Sequence, residues 1–171
     1  RQGLQYHGIL KGDLKATIAA MNAELVTTLS ACGDIARNVM ACPAPLADPA
    51  HQRVQQEAKA IAAALRPQSA AYHEIWLDQE KLVDTQAEEP FYGEAYLPRK
   101  FKTAVACGCD NCVDVYTQDC GLVAVFENDE LAGYNVVVGG GQGMTNRQAD
   151  TFAALAQPLG FEECELRRKS Q

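Results

Sequence analysis

Residues 4–10 alternate apolar and polar positions in the manner of a β-strand. Gly12-Asp13 follows as a turn in which Asp13 can cap a helix. Residues 14–25 then repeat apolar side chains at helical spacing, with Leu14, Ile18, Met21 and Leu25 on one face. Residues 27–40 are polar and irregular. Pro43, Pro45 and Pro49 mark a loop that opens a second helix, whose apolar face is Val54, Ala58, Ile61, Ala62 and Leu65 and which Pro67 ends. Beyond it the period changes: residues 72–77, 101–106, 121–126 and 134–138 are rich in β-formers and read as strands. Asn128-Asp129 predicts a hairpin between the last two. A glycine-rich run at 139–143 leads to Thr145, three residues before Gln148, a capping-box pattern that predicts a helix to Ala156. Helices and strands mix without strict alternation, so the expected class is α+β, a mixed sheet with flanking helices.

Composition narrows this picture. The 171 residues are 47% hydrophobic and 22% charged, ordinary for a globular domain. No apolar run approaches the roughly 20 residues needed to span a bilayer, and no charged segment followed by an apolar core opens the chain. The chain begins at Arg1 and runs straight into patterned sequence, so a piece cut from a longer protein is expected. The net charge of −7 argues against general nucleic-acid binding. An acidic chain that binds an anion must gather its positive charge locally. Seven cysteines, an odd number, argue against a disulfide framework and for a reducing, cytoplasmic setting.

Four constellations could carry chemistry. Lys100 and Lys102, in Arg99-Lys100-Phe101-Lys102, sit on the same side of an extended chain, about 7 Å apart. They can converge on an anion or protect a solvated strand edge. Arg37, in the polar segment 34–39, offers a planar fork for an oxyanion, or a surface salt bridge to Asp34. Cys107, Cys109, Cys112 and Cys120 fall within 14 residues, but the tight Cys107-x-Cys109 spacing is not that of a zinc knuckle. Free cysteines around a loop are the expectation there, with no metal ligands assigned. The glycine run 139–143 can cradle an anionic group on its amides or make a tight turn, and its spacing misses the dinucleotide fingerprint.

Six segments in order resemble one family. They are Gln5-Tyr6-His7-Gly8-Ile9-Leu10-Lys11, Ala31-Cys32-Gly33-Asp34-Ile35-Ala36-Arg37-Asn38-Val39, Glu74-Ile75-Trp76-Leu77-Asp78, Glu89-Pro90-Phe91-Tyr92-Gly93, Tyr96-Leu97-Pro98-Arg99-Lys100-Phe101-Lys102 and Asn135-Val136-Val137-Val138-Gly139-Gly140-Gly141. The family is that of the assimilatory sulfite reductases, within the sirohaem/[4Fe–4S] nitrite and sulfite reductases. The resemblance implies the family's α+β fold, with residues 1–29 closing a ferredoxin-like half-domain and 30–171 forming an incomplete sirohaem- and sulfite-binding domain. It implies six-electron reduction of sulfite to sulfide at a sirohaem coupled to a [4Fe–4S] cluster. By the same resemblance Arg37, Lys100 and Lys102 surround the sulfite, while Arg1, Gln5, His7, Asn38, Gly139, Gly140 and Gly141 approach the sirohaem.

Some features depart from the family pattern. Ala36 stands where an asparagine is usual, and Cys107-Gly108-Cys109 replaces a Pro-rich turn. The Cys-x5-Cys and Cys-x3-Cys pairs that hold the family's cluster do not occur, so the cluster ligands are expected outside this chain, and the chain alone is expected to be inactive. Nitrite reduction is the alternative within the family, and Lys102 favours sulfite because the nitrite branch usually has asparagine there. A non-enzymatic cysteine-rich metal module is the alternative outside it. The electron donor is ferredoxin or an NADPH flavoprotein, with Leu65-Arg66-Pro67-Gln68-Ser69 leaning towards ferredoxin. Neither nucleic acid nor membrane is expected as a partner.

Overall fold

The computed structural model describes residues 3–28, 35–67, 74–77, 80–84, 89–93 and 95–163, with backbone alone for 74–77 and 80–84. Helix α1 is Leu14–Ala23, strand β1 is Ala36–Met40 and helix α2 is Pro49–Ala64. Strands β2 (Glu74–Leu77) and β3 (Glu80–Asp84) form an antiparallel pair of their own. Strands β4 (Phe101–Cys107), β5 (Cys120–Glu127), β6 (Glu130–Val138) and β7 (Gln157–Glu163) join β1 in a five-stranded sheet of order β1-β4-β5-β6-β7. The first three strands of that order run parallel and the last three antiparallel, so the sheet is mixed, as the α+β expectation required.

Helix α2 starts where the sequence places it. Asp48 caps it by accepting the His51 N–H at 3.0 Å, and Pro49, with no N–H to leave unsatisfied, takes the first turn. It lies over one sheet face, where Val54 and Ala58 pack with Ala41, Val105, Cys107 and Ala124. The alternate residues of β4, Ala104 and Ala106, look the other way and pack with Met40, Val113, Val115, Val137 and Ala156. Between these layers β4 is buried without a break from Lys102 to Cys107. Asn128 and Asp129 both take positive φ (52° and 65°) and turn β5 into β6, as expected of a two-residue hairpin.

Three expectations fail. Residues 4–10 make no strand; Leu4 and Leu10 are 78% and 70% exposed, and among the described residues no strand offers them a ladder. Residues 36–40, expected to be irregular, form β1, because pairing with the apolar β4 outweighs the polar character of Ala36-Arg37-Asn38. Residues 145–156 form turns instead of a helix. Gly141 and Ala154 exchange backbone hydrogen bonds at 2.8 Å each, and the Ala156 N–H donates to Tyr116 O at 2.8 Å. These bonds draw the segment along the sheet and into β7, which pairs with β6. Helix α1 forms near its expected limits, but it contributes no buried residue.

Candidate functional site

Lys102 is the second residue of β4, and only 5% of it is exposed. Because β4 lies between β1 and β5, the reading of a solvated edge lysine does not hold for it. Burying an ammonium group costs several kcal/mol unless a counter-charge or ligand offsets it. Asp119 supplies part of that: its Oδ2 accepts the Lys102 backbone N–H at 2.8 Å and lies 3.8 Å from Nζ. Lys102 lines a cleft of about 450 Å³ together with Met40, Pro43, Cys112, Thr117, Gln118 and Gln142.

Arg37 is brought beside it by the sheet. Ala36 pairs with Phe101 and Val39 with Thr103, so two residues of β1, Arg37 and Asn38, stand opposite the single residue Lys102. This is a β-bulge, a device that bends a strand and re-aims its side chains, common beside active sites. Arg37 is half-buried and Asn38 exposed, while Lys100, half-buried, immediately precedes β4. Arg37 and Lys102 thus lie in the first half of the β1–β4 pair, with Lys100 just before it.

Tyr92, which sequence reasoning did not single out, fixes the start of β1. Its hydroxyl accepts the Ala36 N–H at 3.0 Å and donates to Leu65 O at 2.6 Å. Its ring packs with Ile35 and Ala36 and stacks on Tyr96 with centroids 5.7 Å apart. Ala36, 6% exposed, fills this apolar contact.

The glycines make a turn. The N–H groups of Gly139, Gly140 and Gly141 donate to Asp119 O, Gln118 O and Ala154 O at 3.0, 3.0 and 2.8 Å, so they are spent on the fold and not turned to an anion. A side chain at Gly140 would lie 2.3 Å from Tyr116 O, which is why only glycine fits there. Gln5 and His7 are exposed in the irregular N-terminal segment, and Arg1 lies outside the described residues.

The cysteine quartet of the sequence is not brought together. Cys107 pairs with Ala124 and Cys120 with Thr103, at opposite ends of the β4–β5 pair. Burial, then the nearby Cys109 thiol and the Asp48 and Asp110 carboxylates, push the Cys107 thiol up to about 11. A four-thiolate cluster site is not formed among the described residues, whereas the buried cation and bulge beside a cleft do fit a polyanionic ligand.

The nitrite and sulphite reductase 4Fe-4S domain family matches residues 56–164. The sulfite reductase [NADPH] hemoprotein beta-component of Staphylococcus saprophyticus is 49% identical over 163 residues, which are 94% of this chain and 29% of that protein. The protein of the same name in Shewanella pealeana is 50% identical over 167 residues, 96% of this chain and 30% of the relative. The chain thus spans about three tenths of the length of the curated relatives it matches. The relatives' names specify NADPH and haem, which agrees with the expected cofactors and not with the lean towards ferredoxin. With most of its length matched and its order of motifs kept, the chain belongs to the nitrite and sulphite reductase 4Fe-4S domain family.

Proposed function

We propose that this chain supplies the cation-bearing part of the substrate site in a sulfite reductase, with Arg37, Lys100 and Lys102 around the sulfite. The observation that carries the reading is the buried Lys102 opposite the Arg37–Asn38 bulge, beside a cleft. The Lys102 ammonium and the Arg37 guanidinium donate hydrogen bonds to sulfite oxygens and neutralise the anion. Because the sheet sets both backbones and Asp119 holds Lys102, little reorganisation of that lysine is needed as charge develops. Their protons face the oxygens that must leave as water. When bound, sirohaem and its coupled cluster supply the electrons, and the cluster's ligands come from outside the described residues. Arg1, Gln5, His7, Asn38 and the 139–141 turn are assigned to the sirohaem side, the glycines by permitting close approach rather than by donating amides. An NADPH-fed flavoprotein is the donor that the relatives' names favour.

Nitrite remains the second reading, and the full positive charge at Lys102 favours the more highly charged sulfite. Arg37→Ala in the full-length protein tests the assignment. With the sheet intact by circular dichroism, kcat/KM for sulfite should fall by a factor on the order of 100, as for loss of one preorganised donor. An undiminished kcat/KM would mean that Arg37 is only a surface residue of β1.

A further inference from the structure

At the end of the β1–β4 pair opposite to Lys102, three segments meet. β1 delivers Cys42, the first turn of α2 delivers His51, and the loop after β4 delivers Asp110 and Cys112. Parallel strands release their loops at the same end, so the topology itself brings these segments together. The ligating atoms of Cys42, His51 and Asp110 all lie within 4.8 Å of one another. Cys112 joins them by hydrogen bonds to Cys42 and Asp110. Its own backbone N–H donates to Asp110 Oδ1 at 2.9 Å, which holds that carboxylate in place.

His51 shows what the cluster lacks. Its side chain is 10% exposed, and Nδ1 lies 2.8 Å from Asp48 Oδ2, so the Nδ1–H donates to that carboxylate and Nε2 is the ring nitrogen left for a ligand. Among the described residues Nε2 is buried without a hydrogen-bond partner, and Asp110 Oδ2 stands 3.4 Å away outside hydrogen-bond alignment. A buried ring nitrogen without a partner is costly, and a cation bound there would remove that cost. A carboxylate on the far nitrogen is the arrangement that orients metal-bound histidines.

We infer that Cys42, His51, Asp110 and Cys112 form a structural site for a zinc-type divalent cation, with Asp48 orienting His51. The donor set, two sulfurs, one nitrogen and one oxygen, is of the borderline-soft kind that zinc takes in tetrahedral sites. Metal–ligand distances of about 2.0–2.3 Å require ligand atoms roughly 3.2–3.8 Å apart, so Cys42, His51 and Asp110 need to contract by about 1 Å, and the exposed Cys112 side chain turns in to complete the set. The bound ion ties the loops after β1 and β4 to the start of α2, bracing the end of the cleft that Cys112 lines. The two sites adjoin, since Cys112 lines the cleft that Lys102 also lines.

Zinc and cobalt binding to the full-length protein test this, with the metal alone as probe. After dialysis against chelator and addition of zinc chloride, one zinc per chain should be retained in competition with a chromophoric chelator. Cobalt should give thiolate charge-transfer bands and the strong visible absorption of a tetrahedral site. Cys112→Ser and Asp48→Asn alter exposed residues and should keep the fold by circular dichroism. Asp48→Asn should weaken zinc by about 10–100-fold, as loss of a carboxylate behind a metal-bound histidine does, and Cys112→Ser by at least about tenfold. Cys120→Ser should change nothing. Retention well below one zinc per chain, or unchanged affinity in both Cys112→Ser and Asp48→Asn, overturns the site.

Discussion

A lysine on an interior strand is an expensive residue to keep. Lys102 is 5% exposed, and the Asp119 carboxylate, 3.8 Å from its ammonium group, already accepts a backbone N–H. Such a lysine contributes little to stability, because desolvation offsets most of the Coulombic gain. Lys102→Met leaves the partly exposed Asp119 carboxylate with its backbone N–H alone, so the free energy of unfolding in urea should fall by less than the ~3–5 kcal/mol of breaking a fully buried pair. In the full-length protein the same change should lower kcat/KM for sulfite by a factor on the order of 100. A large loss of stability would make Lys102 structural. Cys107 behaves oppositely. It is 5% exposed, and its thiol is pushed up to about 11, first by burial. At pH 8 it should resist alkylation in the native state while the exposed Cys109 reacts, which peptide mass mapping would read directly.

At the scale of elements, β1 depends on a single side chain from far along the chain. Tyr92→Phe removes the acceptor of the Ala36 N–H and the donor to Leu65 O, leaving a buried backbone N–H unsatisfied. A loss of about 1–3 kcal/mol in urea unfolding is expected. The β5–β6 turn offers the reverse. Asp129, at φ 65°, sits where glycine has no side chain to clash, so Asp129→Gly should stabilise the hairpin by about 0.5–1 kcal/mol, read as a higher thermal midpoint. These elements also show what the sequence could and could not reveal. Strands β4, β5 and β6 and helix α2 were legible because their apolar periods and end signals agree with the burial they acquire. β1 was not, because Arg37 and Asn38 mask a strand that exists by pairing with β4. β7 was hidden by Pro158, Gly160 and an exposed surface, and its residues are held by β6 rather than by their own propensity. The capping box at Thr145 gave way to tertiary bonds from Gly141 and Tyr116. Lys100 and Lys102 stood out by their spacing, which fits a solvated strand edge equally well, and their sulfite role came from the resemblance. His51 did not stand out, since its partners come from segments about ten and sixty residues away, and no local spacing encodes that.

Over the whole molecule, the parallel β1–β4 pair organises both ends. At its start stand the bulge and the buried lysine, and at its finish two loops and a helix start gather thiols, an imidazole and a carboxylate. Lys102 from the first end and Cys112 from the second line one cleft. The substrate reading rests on the first of these. Lys102→Asn in the full-length protein tests it most directly, because it removes one positive charge and leaves a shorter polar donor. Sulfite, a dianion over much of the neutral range, should lose more stabilisation than the monoanion nitrite. Steady-state kinetics on both substrates with a reduced dye as electron donor should show the ratio of kcat/KM, sulfite over nitrite, falling at least about tenfold, roughly 1.4 kcal/mol. An unchanged ratio in a folded variant would contradict the assignment of Lys102 to the sulfite.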